Sequence, residues 1–237
     1  MTVSTRWQGA EAYTRRSAAF LLRHRWSVPL SAASSASFIY LAAEMRDGDL
    51  DSVDAAIAGV VHSWRGSMDG LMLLLTQTGG GRGMASVCVA VALVLLIARR
   101  RRTALFMALG GLGTLVLITS LKLLFHRARP DLVYLIQTPS SFSFPSGHAM
   151  GSMGIMASTV VVLHALGTPR LLRRAATLVI GLYVFGVALS RVYFGVHFPS
   201  DVIGGQLGAA AWVSALTGWF YPRLFPGEET VEPAPSP

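Results

Sequence analysis

The sequence predicts an all-α integral membrane protein, a six-helix bundle with both termini in the cytoplasm. Three observations carry that reading. The chain is 52% hydrophobic and only 14% charged, where soluble domains carry about a quarter charged residues. Its apolar residues fall in long runs, giving a mean hydropathy of +0.52. Its basic residues fall in short clusters between those runs, the pattern of the positive-inside rule. The formal charge of +8 is therefore read as topology. A nucleic-acid partner is set aside, because no basic stripe runs along the chain.

Residues 1–25 form a basic cytoplasmic segment with Arg6, Arg15, Arg16, Arg23 and Arg25. The first apolar stretch, 26–45, is rich in Ser and Ala and makes a weak span. A signal peptide is the competing reading; the long polar lead and nearly full span length argue against it. Residues 46–54 are acidic, with Asp47, Asp49, Asp51 and Asp54. Val53, Ile57, Val60, Val61 and Trp64 then recur at helical spacing, which predicts an amphipathic helix at the membrane surface. Residues 70–78 are apolar but too short to cross, and Gly79-Gly80-Gly81-Arg82-Gly83 breaks the run. The second span is predicted over 84–98, with the lone Cys88 as apolar filler.

Arg99–Arg102 is read as a cytoplasmic anchor between spans. The third span is predicted over 103–125 and the fourth over 146–166. A second basic turn, Pro169–Arg174, precedes a fifth span at 175–194, and a sixth follows at 200–221. The membrane domain thus covers 26–225. Residues 226–237 are rich in Pro and Glu, lack periodicity, and are predicted to be disordered. Counting spans from a cytoplasmic N-terminus places 13 of the 20 basic residues in cytoplasmic segments. They are the five N-terminal arginines, four in the first turn, three in the second, and Arg223.

Three clusters fall at the opposite, extracytoplasmic ends of spans three to six. Lys122-x6-Arg129-Pro130 holds the only lysine in the chain. Its two cations are seven residues apart, two helical turns, and share a face. Pro130 disfavours helix at Arg129, so the chain should leave the helix there. Taken alone, the pair reads first as a snorkelling basic cap. His126 and Arg127 lie on other faces and read as headgroup-level polar residues.

Pro145-Ser146-Gly147-His148 precedes an apolar run. Ser146 is an N-cap candidate, and Gly147 admits a ligand close to the backbone. Free N–H groups at a helix start favour an anion, and His148 could donate a proton to an oxygen held there. In Ser190-Arg191-x5-His197-x3-Asp201, His197 and Asp201 are one turn apart. A carboxylate on one imidazole nitrogen fixes the tautomer and leaves the other as a nucleophile. Arg191 offers a planar bidentate grip on phosphate oxygens. The plainer alternatives are an ordinary Pro-Ser-Gly turn and a structural His–Asp hydrogen bond.

In this order and on one face, the clusters resemble the type 2 phosphatidic-acid phosphatase superfamily, whose motifs read K-x6-R-P, P-S-G-H and S-R-x5-H-x3-D. Every defined position is matched. The resemblance implies a metal-independent membrane phosphatase without cofactor, active outside the bacterial cytoplasmic membrane. Lys122, Arg129 and Arg191 would bind phosphate with Ser146 and the Gly147 amide. His197 would attack phosphorus to form a phosphohistidine, Asp201 would orient it, and His148 would protonate the leaving oxygen. The expected partners are membrane lipids and a lipid phosphate substrate. Polyprenyl (undecaprenyl) pyrophosphate is the first choice. Phosphatidic acid, phosphatidylglycerol phosphate, diacylglycerol pyrophosphate and a polyprenyl-linked sugar phosphate are the alternatives. Two readings from other classes are a vanadium-dependent haloperoxidase, which the apolar spans disfavour, and a non-catalytic binder of lipid headgroups.

Overall fold

A computed structural model describes residues 26–224; the expectations for the basic segment 1–25 and the tail 226–237 lie outside the described residues. The described chain is all helical: α1 (Ser27–Asp47), α2 (Asp51–His62), α3 (Asp69–Thr78), α4 (Gly81–Ile97), α5 (Arg101–Phe125), α6 (Gly147–Ala165), α7 (Arg170–Tyr193) and α8 (Pro199–Leu224). Each of the six expected spans coincides with one of α1, α4, α5, α6, α7 and α8. Three of these, α5, α6 and α7, are long and apolar enough to cross a membrane. A fourth crossing arises if α3 and α4, bent by 52° at the glycine break, count as one span. α1 and α8, with 21 and 26 residues, have the length but fall short of that apolarity.

Packing explains the low hydropathy of α1 and α8. The two lie against each other and α8 also lies against α6, with small residues at the contacts. Close approach of this kind is how helices associate where lipid and side chain are equally apolar. Gly205 is the clearest case. A Cβ there would come 2.8 Å from the Ser146 carbonyl oxygen and 3.1 Å from the Met150 amide nitrogen, so the α6 start can sit this close only against glycine. Phe106, Met107, Ile155, Val213 and Phe220 fill the end of the bundle near the Arg99–Arg102 turn. Val61, Met72, Ala149, Tyr193, Phe194 and Val196 fill the other end. Outward faces carry exposed Leu115 and Val116 on α5 and Leu178 and Leu182 on α7, as lipid-facing surfaces do.

α2 presents Val53, Ile57 and Val60 outward, while Asp54 and Val61 are buried. The predicted apolar stripe therefore exists, but the opposite face docks on α7 and α8. His62 Nε2 lies 2.9 Å from the Val192 carbonyl oxygen and helps hold that dock. The segment at 70–78, too short to cross alone, is helix α3, which packs on α7. Its bend into α4 brings Thr76 and Gly80 to the end of the bundle where the three motifs lie. Cys88 packs between α4 and α5, its Sγ 3.6 Å from the Met107 carbonyl oxygen.

Candidate active site

All three motif clusters meet at one end of the bundle, and the arginine-rich turns sit at the other. Lys122 ends α5, Ser146 and Gly147 begin α6, Arg191 ends α7, and His197 and Asp201 flank the start of α8. The left-handed His126 (φ 49°) caps α5, donating its backbone N–H to the Lys122 carbonyl. Chain leaving α5 there turns Arg129 back over the site. The segment then returns to α6 without a helix.

His197 is 3% exposed and Asp201 is fully buried. Arg129 NH1 donates to His197 Nε2 at 3.0 Å, so Nε2 carries the lone pair and Nδ1 carries the proton. Nδ1 faces Ser143 Oγ at 3.3 Å and Asp201 Oδ2 at 3.4 Å. The expected His197–Asp201 pair is thus present but long, and Ser143 stands between its members, donating to Oδ2 at 2.5 Å. The Phe198 amide donates to the same oxygen at 2.9 Å. Ser143 was not singled out from the sequence.

Burial holds the His197 imidazole down to about 4, against the opposing pull of the Asp201 carboxylate. Its neutral form therefore persists on the acid side of the ordinary histidine value, and Nε2 stays a free base throughout the neutral range. In 15N-histidine-labelled protein in detergent, the resonance missing from the His197→Ala variant should titrate below pH 5. A midpoint near 6.5 would overturn this assignment.

Arg129 bonds that nitrogen, and Lys122 and Arg191 are held at the same end of the bundle by other partners. Arg129 Nε donates to the Ser141 carbonyl at 2.8 Å and NH1 to the Val196 carbonyl at 2.7 Å; burial lowers its pKa without approaching neutrality. Lys122 Nζ donates to the carbonyl oxygens of Phe142 and Ser143. Arg191 NH1 donates to Thr76 Oγ1 of α3, a partner with no sequence signal. Among the described residues, none of these three cations is within ion-pair distance of a carboxylate. Ser146 caps α6 in an extended conformation without a side-chain cap bond. Its Oγ and the Arg191 Nε are buried and make no hydrogen bond within the protein. His148 lies beside the α3–α4 break, where a Cβ on Gly80 would come 3.3 Å from its Nε2.

Arg127 departs from the headgroup-level position expected for it. Its side chain is 11% exposed, with NH1 donating to Asp201 Oδ1 at 2.7 Å and NH2 to Asp54 Oδ2 at 3.0 Å. His126 instead packs edge-on against Phe142. Taken together, the site can offer three cations, an open helix start and a neutral imidazole to a tetrahedral anion, with Arg129 and His197 carried on the segments just outside the helix ends.

A family model described as the PAP2 superfamily matches residues 103–225, just over half of the chain. The decaprenylphosphoryl-5-phosphoribose phosphatase of Mycobacterium tuberculosis is 36% identical over 115 residues, covering 47% of this chain and 58% of that protein. The undecaprenyl-diphosphatase of Sulfolobus acidocaldarius is 31% identical over 130 residues, covering 50% of this chain and 55% of that protein. The chain thus spans little more than half the length of these curated relatives. Among solved structures, the transmembrane PAP2-type phosphatidylglycerolphosphate phosphatase of Bacillus subtilis matches with a TM-score of 0.74 at 25% identity, over 86% of this chain and 98% of that one.

Proposed function

The chain belongs to the PAP2 superfamily, and we propose that it is a multi-pass phosphatase of the bacterial cytoplasmic membrane that hydrolyses a lipid phosphate at the outer face. Polyprenyl pyrophosphate is the substrate of first choice. One observation carries the reading: Arg129 donates to the His197 Nε2 lone pair, Lys122 and Arg191 stand at the same end of the bundle, and among the described residues none of the three cations is within ion-pair distance of a carboxylate. An anion with several oxygens supplies the missing charge. Walls of apolar helix around such a pocket suit an anion carried on a lipid, with the headgroup at the helix ends and the tail in the bilayer. The six-span count and the cytoplasmic placing of both termini rest on the arginine-rich turns at the far end.

In the proposed reaction, the three cations, Ser146 Oγ and the amides at the α6 start hold the phosphoryl oxygens. His197 Nε2 attacks phosphorus as the bond to the leaving oxygen breaks, and His148 gives that oxygen its proton. A phosphohistidine results. His148 then takes a proton from water, whose oxygen attacks phosphorus and returns His197 with release of phosphate. Phosphoryl transfer of this kind depends on positioning and charge stabilisation, and the fixed cations supply the charge that metal ions supply elsewhere.

The substrate class is supported by two relatives whose names carry a polyprenyl chain, while the matching solved structure is named for a glycerolipid phosphate. Phosphate release from a panel of polyprenyl pyrophosphate, polyprenyl-linked sugar phosphate, phosphatidic acid and phosphatidylglycerol phosphate decides among them. The expected result is highest kcat/KM on polyprenyl pyrophosphate, unchanged in EDTA. A glycerolipid preference above about tenfold, equal to about 1.4 kcal/mol of transition-state discrimination, overturns the first choice. Loss of activity in EDTA with recovery in magnesium overturns the metal-free mechanism.

A further inference from the structure

We propose that Asp54, which lies outside all three motifs, and Arg127, which occupies an undefined position of the first, are positioning residues for the His197–Asp201 pair, an inference that rests on the phosphatase reading above. Arg127 reaches across from the end of α5 and Asp54 from α2. They meet at the first turn of α8, where Asp201 sits.

The hydrogen bonds divide the work. Arg127 NH1 donates to Asp201 Oδ1 and to Ser200 Oγ, each at 2.7 Å. Its NH2 donates to Asp54 Oδ2 at 3.0 Å, with Asp51 Oδ1 farther out at 3.9 Å. The guanidinium plane lies over the Phe198 ring at 4.2 Å. Asp54 is 2% exposed. It accepts from the Ser200 amide at 2.8 Å and from Ser200 Oγ at 2.5 Å. A carboxylate from another helix thus satisfies an N–H at the α8 start, the place of a side-chain cap, while holding the guanidinium in place.

Two consequences follow for Asp201. The first is geometric. At 3.4 Å the imidazole does not fix the carboxylate. Arg127 fixes it through Oδ1, which leaves Oδ2 for the Phe198 amide, Ser143 and His197. The second is electrostatic. Asp201 is the carboxylate nearest the anion pocket and would be the natural partner for Arg129. Paired with Arg127 from behind, it leaves Lys122, Arg129 and Arg191 to face the substrate. Arg127 therefore acts on catalysis through Asp201, without touching substrate.

The test uses the purified full chain in detergent, with the lipid on which it is most active. Arg127→Met should lower kcat by about 10- to 100-fold with KM within about threefold, because orientation is lost and the phosphate grip is retained. Arg127→Lys should recover part of that loss, keeping the charge without the two-armed geometry. Asp54→Asn, which keeps one acceptor for Ser200, should lower kcat about tenfold. In an Asp201→Asn background, Arg127→Met should cost less than about threefold more, since its route through Asp201 is gone. Should Arg127→Met fail to fold, Arg127→Lys and Asp54→Asn carry the same test, and kcat at the wild-type level in both overturns the proposal. Full additivity of the Arg127 and Asp201 losses overturns it too. Wild-type protein that releases no phosphate above the His197→Ala baseline from any lipid in the panel sinks the phosphatase reading itself, and this proposal with it.

Discussion

His197→Ala is expected to cut phosphate release by about 10⁴-fold or more, the scale of losing a nucleophile that no other group replaces. Nε2 is the base to which Arg129 donates. Removing it leaves the grip intact: Arg129 keeps the Ser141 and Val196 carbonyls, Lys122 keeps the Phe142 carbonyl, and Arg191 keeps the Thr76 hydroxyl. Binding of inorganic vanadate should therefore survive in the variant while turnover vanishes. Wild-type protein quenched in alkali during turnover should carry acid-labile phosphate on His197. A non-catalytic headgroup binder would carry none. Normal rates in His197→Ala would end the covalent mechanism.

The motif residues were legible because their chemistry and spacing are local. His197 and Asp201 are four apart, Lys122 and Arg129 seven apart, and each group ends or begins a helix that hydropathy and proline could place. The residues that hold them were not legible. Asp54 meets Ser200 from 146 positions away, and Arg191 meets Thr76 from 115 away. Neither contact leaves a periodic trace. Asp54 read as one of several acidic residues in a turn, and Arg127 as one of several basic residues at a membrane edge. Burial separates them from their neighbours, and burial of a charge beside a bilayer comes from tertiary packing. The α3–α4 break did leave a signal. Glycines between two apolar runs mark a broken span, and broken helices deliver their ends to buried polar sites. The apolar runs placed α1 and α8 as helices, but their apolarity falls short of that of α5, α6 and α7, and they pack through small residues such as Gly205 and Gly208. Ser31 Oγ adds a bond to the Ala211 carbonyl at 3.0 Å.

Arg191→Met should move activity and stability in opposite directions. The Arg191 side chain is 3% exposed, bonds Thr76 through NH1, and leaves Nε without a partner in the protein. No carboxylate among the described residues lies within ion-pair distance of it. A buried charge so thinly satisfied opposes folding, and an apolar side chain of similar length removes that cost. Unfolding in detergent should therefore shift to higher temperature, corresponding to about 1–2 kcal/mol. Turnover should fall by about 10³-fold, because a fixed cation aimed at the phosphoryl oxygens stabilises charge in the transition state. Arg191→Lys should lie between, keeping the charge and losing the fork. Inorganic phosphate should raise the melting temperature of the wild type and leave Arg191→Met nearly unmoved, since a ligand stabilises only the state that binds it. A lowered melting temperature in Arg191→Met would show that Arg191 is held for packing. The opposite shift would mean that the site keeps an unpaired cation at the expense of the fold, so that the substrate supplies the counter-charge.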